Sequence, residues 1–425
     1  MYSGGGTPVV SLYKNIIKSI ISLNQASPKI AGYPFEKDWI YKNEFPFPVK
    51  SNKQIKKTNI IIIFTEGTSA RLVDCYDRKL GDITPNIDDF AKKSMVVDRY
   101  YNHTAATFRG TQGQLTSCYP RYGGSEKGGW VGTKEDASAS KSLAKRDYQT
   151  LPKLLNERGY NTSFISPHMR EDPYTDLVKM LGFQQIYTRE SSAELLPYST
   201  KFWHSSLTDQ DMYAELIELL SQRNDSSPFL IAMYTFETHT GIDTPDGGIK
   251  YNDGSNETLN TLHSMDNAFG LFWEYFVHSQ YKDNTIIIFT ADHCHYYDKS
   301  FMALVEKDAD YVKCFHDRIP FIIYDPIHYL PERYDAENNT SLALTPTVCQ
   351  ILGINDEKNS FLGTSIFESM EKPAILATGF DFYCIDDNHI VRPSQLAGNN
   401  RNIVQQEIEK IKMFYACEEV NQVFH

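Results

Sequence analysis

The sequence predicts an α/β protein with a mainly parallel central sheet, helices on both faces of the sheet, and a small β-rich C-terminal subdomain that ends in a helix. Short apolar, β-branched runs recur along the chain, and such runs are typical of strands that are covered on both faces. They lie at residues 60–64, 162–165, 229–234, 285–289 and 321–324. Amphipathic helical segments with recognisable start and stop signals separate them.

Four helices can be placed between these strands. A Thr-Pro pair at 84–85 opens one helix, with proline at the first helical position. Residues 151–158 end at a glycine, which is a C-cap signal. Residues 206–223 present one apolar face, and residues 259–276 form a long segment rich in aromatics. The alternation of strands and helices indicates parallel strands joined by helical crossovers.

The chain divides into three parts. Residues 1–57 form an N-terminal lead-in, in which 9–23 has the spacing of either a surface helix or a membrane-proximal linker. Residues 58–370 carry the main α/β pattern, and residues 371–425 are expected to form a small α+β subdomain. Its predicted strands and closing helix lie at 374–378, 382–385, 389–391 and 403–420.

Composition narrows the classes of protein. The formal charge of −12 and the lack of a basic block argue against a nucleic-acid partner. The seven cysteines are scattered without a CxxC pair, which favours free buried thiols and leaves one or two disulfides open. No stretch approaches the roughly 20 apolar residues of a membrane-spanning helix. No signal peptide is visible, and the Gly-rich start leaves open that an upstream segment has been removed.

Unusual polar residues follow three of the predicted strands. Glu66 follows 60–64 after one intervening threonine, the pair Asp292-His293 follows 285–289, and His239 lies shortly after 229–234. Functional residues of open parallel sheets gather at the carboxyl ends of the strands. Hard oxygens with one imidazole suit a divalent cation. Taken one at a time, a polar residue at a strand end is more often an ordinary loop residue than a ligand.

A hydroxyl-rich segment at 103–117 supplies a candidate nucleophile. A short helix is expected to begin near Thr107, and its first N–H groups together with Arg109 would favour an anion. The alternative is that Thr107 is simply the N-cap of this helix.

These residues resemble a known family. The chain looks like the sulfatase-like enzymes of the alkaline phosphatase superfamily over about 59–367. The motifs that carry the resemblance occur in the family's order: NIIIIFTE at 59–66, TPNIDDFA at 84–91, the spacing from Thr107 to Thr116, the pair Asp292-His293, and the segments 318–324 and 345–353.

Thr107 stands where sulfatases have a modified cysteine, which argues against a formylglycine sulfatase. Threonine at this position resembles the lipoteichoic acid synthases, related phosphoglycerol transferases and phosphoethanolamine transferases. The resemblance therefore implies a sulfatase-like catalytic domain at 58–370 with an alkaline phosphatase-like fold. It also implies one divalent cation, with Mn²⁺ preferred and Mg²⁺ or Zn²⁺ as alternatives, held by Glu66, Thr107, Asp292 and His293.

The implied reaction is transfer of glycerol phosphate from a phospholipid donor to a glycan or polyol acceptor through a phosphothreonine at Thr107. Five residues are the expected substrate contacts: His239, Arg109, His168, Arg170 and His316. Lipoteichoic acid synthases carry a Trp-x-Arg pair after the strand near 165, whereas this chain has SPHMREDPY at 166–174. The head group therefore stays open at this point.

Three alternatives remain from the sequence. Phosphoethanolamine transfer and diester or monoester hydrolysis would use the same metal-site residues. A non-catalytic glycan- or lipid-binding protein is the alternative outside enzymes, and the presence of all four metal-site residues argues against it. Because the resembling enzymes work outside the cytoplasmic membrane, the expected location is extracytoplasmic, at a membrane surface, as the soluble domain of an anchored protein.

Overall fold

The computed structural model describes residues 35–50, 58–120, 149–196, 203–356 and 358–419. The predicted helical segment at 9–23 lies outside these residues, as does the end of the predicted closing helix at 420.

A mostly parallel sheet of eight strands forms the centre of the molecule. Its order is β4-β3-β5-β1-β6-β7-β2-β8, and β7 alone runs antiparallel to its neighbours. The strands are β1 (Asn59–Thr65), β2 (Met95–Asp98), β3 (Asn161–Ile165), β4 (Gln185–Tyr187), β5 (Phe229–Tyr234), β6 (Thr285–Ala291), β7 (Phe321–Tyr324) and β8 (Arg333–Asp335). The predicted α/β class and parallel sheet are confirmed.

Helices cover both faces of this sheet, because its central strands are apolar on both sides. Ile60 and Ile62 of β1 belong to one buried cluster, and Ile61 and Ile63 belong to the cluster on the opposite face. The α-helices of the main domain are α1 (Pro85–Ala91), α2 (Thr107–Thr116), α3 (Leu151–Glu157), α4 (Pro173–Met180), α5 (Arg189–Leu195), α6 (Asp209–Gln222), α7 (Glu257–His278), α8 (Lys299–Val305) and α9 (Leu344–Ile351).

A second, antiparallel sheet follows the main domain. It has the order β11-β10-β9 and is closed by α10. The elements are β9 (Ile375–Thr378), β10 (Asp381–Asp386), β11 (His389–Val391) and α10 (Gly398–Glu419). The predicted strands are confirmed, while the helix begins five residues earlier than 403. This sheet docks on the main domain through Ala377 N, which donates to His103 O at 2.8 Å.

Three strands were missed by the sequence prediction: β2, β4 and β8. Each has only three or four residues. β4 and β8 are edge strands, and their side chains are partly or fully exposed. β4 and β8 lack the apolar run that marked the central strands, because an edge strand need not be buried on both faces. β2 is internal and buried, but its apolar run has only three residues.

The described part of the lead-in packs against the main domain. Ile40 and Tyr41 are buried, and their N–H groups donate to Asn355 Oδ1 at 2.7 and 3.1 Å. Phe45 and Phe47 pack edge-on against Phe367. Residues 35–50 are therefore part of the folded body.

The seven cysteines all lie in the described ranges and form no disulfide there, and six of them are buried, as the sequence favoured. Among the described residues, no helix combines the length and the apolar character needed to cross a membrane.

Candidate metal centre

The pairing of β1 with β6 creates a cluster of buried polar groups. Thr65 is paired with Ala291, so the residues that follow, Glu66 and Asp292, leave the sheet side by side. Glu66, Asp292 and His293 each offer one ligand atom, and these atoms all lie within 4.8 Å of one another. At most 1% of any of these side chains is exposed. The sheet topology thus unites residues that are more than 200 positions apart.

Two potential ligand atoms in this cluster have lone pairs that no hydrogen bond uses. His293 Nδ1 lies 2.6 Å from the Cys294 carbonyl and must donate to it, which leaves Nε2 with its lone pair. Asp292 Oδ1 accepts from the N–H groups of Gly67 and His293 at 2.8 and 2.7 Å. Within the described residues, Asp292 Oδ2 and His293 Nε2 have no hydrogen-bond partner.

These two atoms face each other and Glu66. His293 Nε2 lies 3.6 Å from Asp292 Oδ2 and 3.3 Å from Glu66 Oε1. Two carboxylate oxygens and one imidazole nitrogen, buried and without donors, fit a divalent cation. The carbonyl that orients His293 is the outer partner expected for a metal-bound histidine.

Electrostatics show how much charge is concentrated here. Burial opposes ionisation of Glu66, but the adjacent positive charge of His293 lowers its pKa to about 2. Burial and the charge of Glu66 raise the pKa of Asp292 to about 7. Burial disfavours the charged form of His293, yet Asp292 and Glu66 raise its pKa to about 9. The cluster therefore attracts positive charge, which a bound cation would supply.

Thr107 stands beside this cluster at the first position of α2. Its Oγ1 donates to Glu66 Oε2 at 3.0 Å. Ala106 is the N-cap residue and no side chain caps the helix, so the N-cap interpretation of Thr107 is wrong. The first N–H groups of α2 have no partner within the helix, and they favour a bound anion.

The close approach of α2 to the end of β6 fixes this arrangement. A Cβ atom on Gly110 would lie 2.1 Å from the Asp292 carbonyl oxygen, so only glycine fits there. One turn later, Gln114 Nε2 donates to the carbonyls of Ala291 and Asp292 at 2.9 and 3.2 Å. The helix that carries Thr107 is thereby locked to the strand that carries Asp292.

Three of the predicted substrate residues lie around the cluster. His239 is half-buried, its Nδ1 lies 3.0 Å from the Thr240 carbonyl, and its charge helps to lower the pKa of Glu66. The His168 ring lies 5.8 Å from that of Tyr234, and its Nδ1 lies 3.0 Å from Ser206 Oγ. Arg109 is partly exposed on α2, and its Nη1 donates to the Ala105 carbonyl at 3.0 Å.

The other two have different surroundings. Arg170 is exposed, and its main-chain N–H donates to Glu190 Oε2 at 3.0 Å. His316 is buried against the C-terminal sheet, with Nε2 3.3 Å from Thr378 Oγ1, and burial lowers its pKa to about 4. Their contacts give no independent support to a substrate role, which stays a prediction.

Four residues that the sequence analysis did not single out support the cluster. The Tyr234 hydroxyl donates to Glu66 Oε2, and Thr238 Oγ1 donates to the Glu66 carbonyl at 2.5 Å. The Tyr296 ring stacks on His293 at 4.7 Å, and Gln114 holds the end of β6. The spacing of Gln114 from Thr107 and Gly110 could have indicated one face of α2. Tyr234 and Thr238 show their partners only in three dimensions.

Comparisons to known proteins identify the family of this chain. The sulfatase family model matches residues 58–354, more than half of the chain. The chain therefore belongs to the sulfatase family, a family of enzymes.

Solved structures share this fold at low sequence identity. An alkaline phosphatase superfamily protein from Vibrio parahaemolyticus is 20% identical, with a TM-score of 0.66, over 95% of this chain and 96% of its own. The lipoteichoic acid synthase LtaP from Listeria monocytogenes is 17% identical, with a TM-score of 0.65, over 89% and 97%. The phosphonate monoester hydrolase of Agrobacterium radiobacter is 12% identical, with a TM-score of 0.51, over 84% and 95%.

Proposed function

We propose that this protein is a metal-dependent phosphoglycerol transferase that uses Thr107 as its nucleophile. The observation that carries the proposal is the 3.0 Å hydrogen bond from Thr107 Oγ1 to Glu66 Oε2. This bond lies beside Asp292 Oδ2 and His293 Nε2, which have no hydrogen-bond partner within the described residues. Threonine at this position and the fold-level likeness to LtaP favour phosphoryl over sulfuryl transfer.

The residues that would hold the cation are Glu66, Thr107, Asp292 and His293, and their donor set suits Mn²⁺ or Mg²⁺ before Zn²⁺. When bound, the cation lowers the pKa of a coordinated hydroxyl and neutralises charge on the phosphoryl oxygens. The first N–H groups of α2 would add positive potential at the same oxygens.

The reaction would be a double displacement, in which residues of this chain supply the nucleophile and transfer protons. Thr107 Oγ attacks phosphorus, and the bond from phosphorus to the lipid oxygen breaks. Thr107 gives up its proton to solvent, while the departing lipid alcohol takes a proton from protonated His239. In the second half, the acceptor oxygen attacks phosphorus and the bond from phosphorus to Thr107 Oγ breaks. The acceptor proton passes to His239, and Thr107 takes up a proton from solvent.

The substrate side is also a proposal. The donor would be a phospholipid head group, the acceptor a glycan or polyol phosphate, and the site of action an extracytoplasmic membrane surface. Arg109 and His168 would contact the organic group beside phosphorus. Arg170 and His316 are kept as predicted contacts on the resemblance alone.

The test compares wild type, Thr107→Ala and Thr107→Ser with Mn²⁺, a labelled phosphatidylglycerol, and a polyol acceptor. We expect Thr107→Ala to lose activity by at least about 100-fold, because nothing replaces the nucleophile, and Thr107→Ser to keep a measurable part. Mass spectrometry of quenched wild type should find glycerol phosphate on the peptide that contains Thr107. Full activity of Thr107→Ala would refute the nucleophile. Label released as free glycerol phosphate despite the acceptor would instead assign hydrolysis.

A further inference from the structure

Two buried acids, Asp209 and Glu237, contact or belong to the loop that carries His239, and the proposed mechanism does not use them. Asp209 is the first residue of α6, and Glu237 lies in the loop after β5, two positions before His239. Their exposed fractions are 0% and 1%. Within the described residues, neither forms an ion pair with a lysine, arginine or histidine, so a simple salt bridge does not explain them.

The two acids bind each other's main chain. Asp209 Oδ1 accepts from the N–H groups of Phe236 and Glu237 at 2.8 and 3.2 Å. Glu237 Oε1 accepts from the N–H of Asp209 at 2.9 Å, and Oε2 accepts from Ser264 Oγ on α7 at 2.8 Å. These four bonds tie the loop to the start of α6 and to the N-terminal half of α7. We refer to Asp209 and Glu237 together as the carboxyl clamp.

The clamp determines where His239 can lie. The His239 N–H donates to the Phe236 carbonyl at 3.1 Å, so its backbone follows the residue that Asp209 holds. Thr238, between the clamp and His239, donates through Oγ1 to the Glu66 carbonyl at 2.5 Å. The loop is thus fixed on one side by the clamp and on the other by Glu66 of the candidate metal centre.

Burying both acids has an energetic cost that the fold accepts. Burial and the nearby charge of Glu237 raise the pKa of Asp209 well above its usual value, and burial also raises that of Glu237. A buried acid is costly unless its polar atoms are satisfied. A neutral apolar pair would pack at lower cost, but it could not accept from the loop N–H groups.

We propose that Asp209 and Glu237 are positioning residues, which hold His239 beside the candidate metal centre so that its ring contacts the phosphoryl group. This role rests on the proposed function of His239. The hydrogen bonding of the loop can be tested without that function.

The first experiment measures hydrogen exchange of peptides covering residues 235–240 in the full chain. Asp209→Ala removes the acceptor of two N–H groups, so we expect their exchange to rise by at least about tenfold, while Asp209→Asn keeps a carbonyl acceptor and stays near wild type. Glu215→Gln is the matched control, because Glu215 is also buried on α6 but bonds to Ser192. Unchanged exchange in Asp209→Ala refutes the clamp, whether or not the protein is a transferase.

The second experiment measures Mn²⁺-dependent cleavage of a phosphodiester and its inhibition by inorganic phosphate. We expect Asp209→Ala to lose roughly 10- to 100-fold in kcat/KM, since displacement of a group by about 1 Å has effects of that size. The loss should include kcat, because His239 is proposed to give the leaving alcohol its proton, while Mn²⁺ affinity stays unchanged. Asp209→Asn and Glu215→Gln should stay within about threefold of wild type.

The outcomes separate the two hypotheses. A wild type that neither binds Mn²⁺ nor cleaves the diester refutes the proposed function, while the exchange result still decides the clamp. An active wild type whose Asp209→Ala variant is folded and keeps kcat/KM within about twofold refutes the positioning role. A loss of Mn²⁺ affinity in Asp209→Ala also refutes it, because the clamp is proposed to act on His239 and not on the metal ligands.

Discussion

The Thr107 hydroxyl donates to Oε2 of Glu66 at 3.0 Å, although the two residues are 41 positions apart in the chain. The Tyr234 hydroxyl donates to the same oxygen. Glu66 therefore uses Oε2 for two hydroxyls and presents Oε1 to His293 Nε2. This division of the carboxylate connects the candidate nucleophile to the candidate metal centre.

Removal of the charge on Glu66 should abolish tight metal binding. In Glu66→Gln the side chain keeps its size but replaces one carboxylate oxygen with an amide NH₂, which repels a cation. We expect Mn²⁺ affinity to fall by at least about 100-fold, more than the loss typical of an outer-shell change. Isothermal titration calorimetry measures this. Glu190→Gln, at an acid on α5, is a control that should bind Mn²⁺ like wild type, and equal affinity of Glu66→Gln would rule out Glu66 as a ligand.

Tyr234→Phe tests the outer partner of Glu66. Losing the hydroxyl removes a hydrogen bond to a charged carboxylate, so we expect Mn²⁺ affinity to drop by roughly 10-fold. Tyr213 is also buried, and its hydroxyl has no hydrogen-bond partner within the described residues. Tyr213→Phe should therefore leave Mn²⁺ affinity unchanged. If both variants bind Mn²⁺ equally, Tyr234 does not orient the ligand.

Gly110→Ala tests the packing of α2 on β6. The added methyl would lie 2.1 Å from the Asp292 carbonyl oxygen, so the helix must move. We expect a loss of about 1–3 kcal/mol in the free energy of unfolding, together with weaker Mn²⁺ binding. Gly113→Ala, which meets the His103 ring instead, should destabilise the fold but keep Mn²⁺ affinity. Urea unfolding and metal titration of both variants separate the two effects, and wild-type metal binding by Gly110→Ala would contradict the coupling.

Glu215 gives a prediction of pH dependence away from the metal centre. Burial raises its pKa to about 8, against the hydrogen bond from Ser192, which favours the charged form. Because the pKa is raised on folding, the neutral acid's contribution is complete below the unfolded pKa of about 4.3 and is lost as the pH rises through about 8. Glu215→Gln stays neutral throughout.

We therefore expect the stability of wild type relative to Glu215→Gln to fall as pH rises from 5 to 8, with a slope of at most about 1.4 kcal/mol per pH unit. Urea unfolding at several pH values measures this difference, in which the other titrating groups cancel. Parallel pH profiles for the two proteins would show that Glu215 titrates normally.

Part of the site could be predicted because strand ends are marked locally. Glu66 and Asp292 each follow an unbroken apolar run, and parallel strands bring their carboxyl ends to one edge. The strand order β5-β1-β6 then makes their convergence with His239 a consequence of topology. The placement of Thr107 also depended on family resemblance, since a threonine at a helix start has an ordinary explanation.

By itself, the sequence determined the α/β class, the central strands, most helices, and the acid and Asp-His pair at two strand ends, because burial on both faces and helix termini leave signals within a few residues. Only the tertiary structure decided that Tyr234 and Thr107 donate to the same oxygen of Glu66 and that Asp209 accepts hydrogen bonds from the loop of His239. It also decided that residues 35–50 belong to the folded body. Those facts depend on the distances between side chains that are remote in the chain, and neither the apolar period nor the spacing of residues encodes such distances.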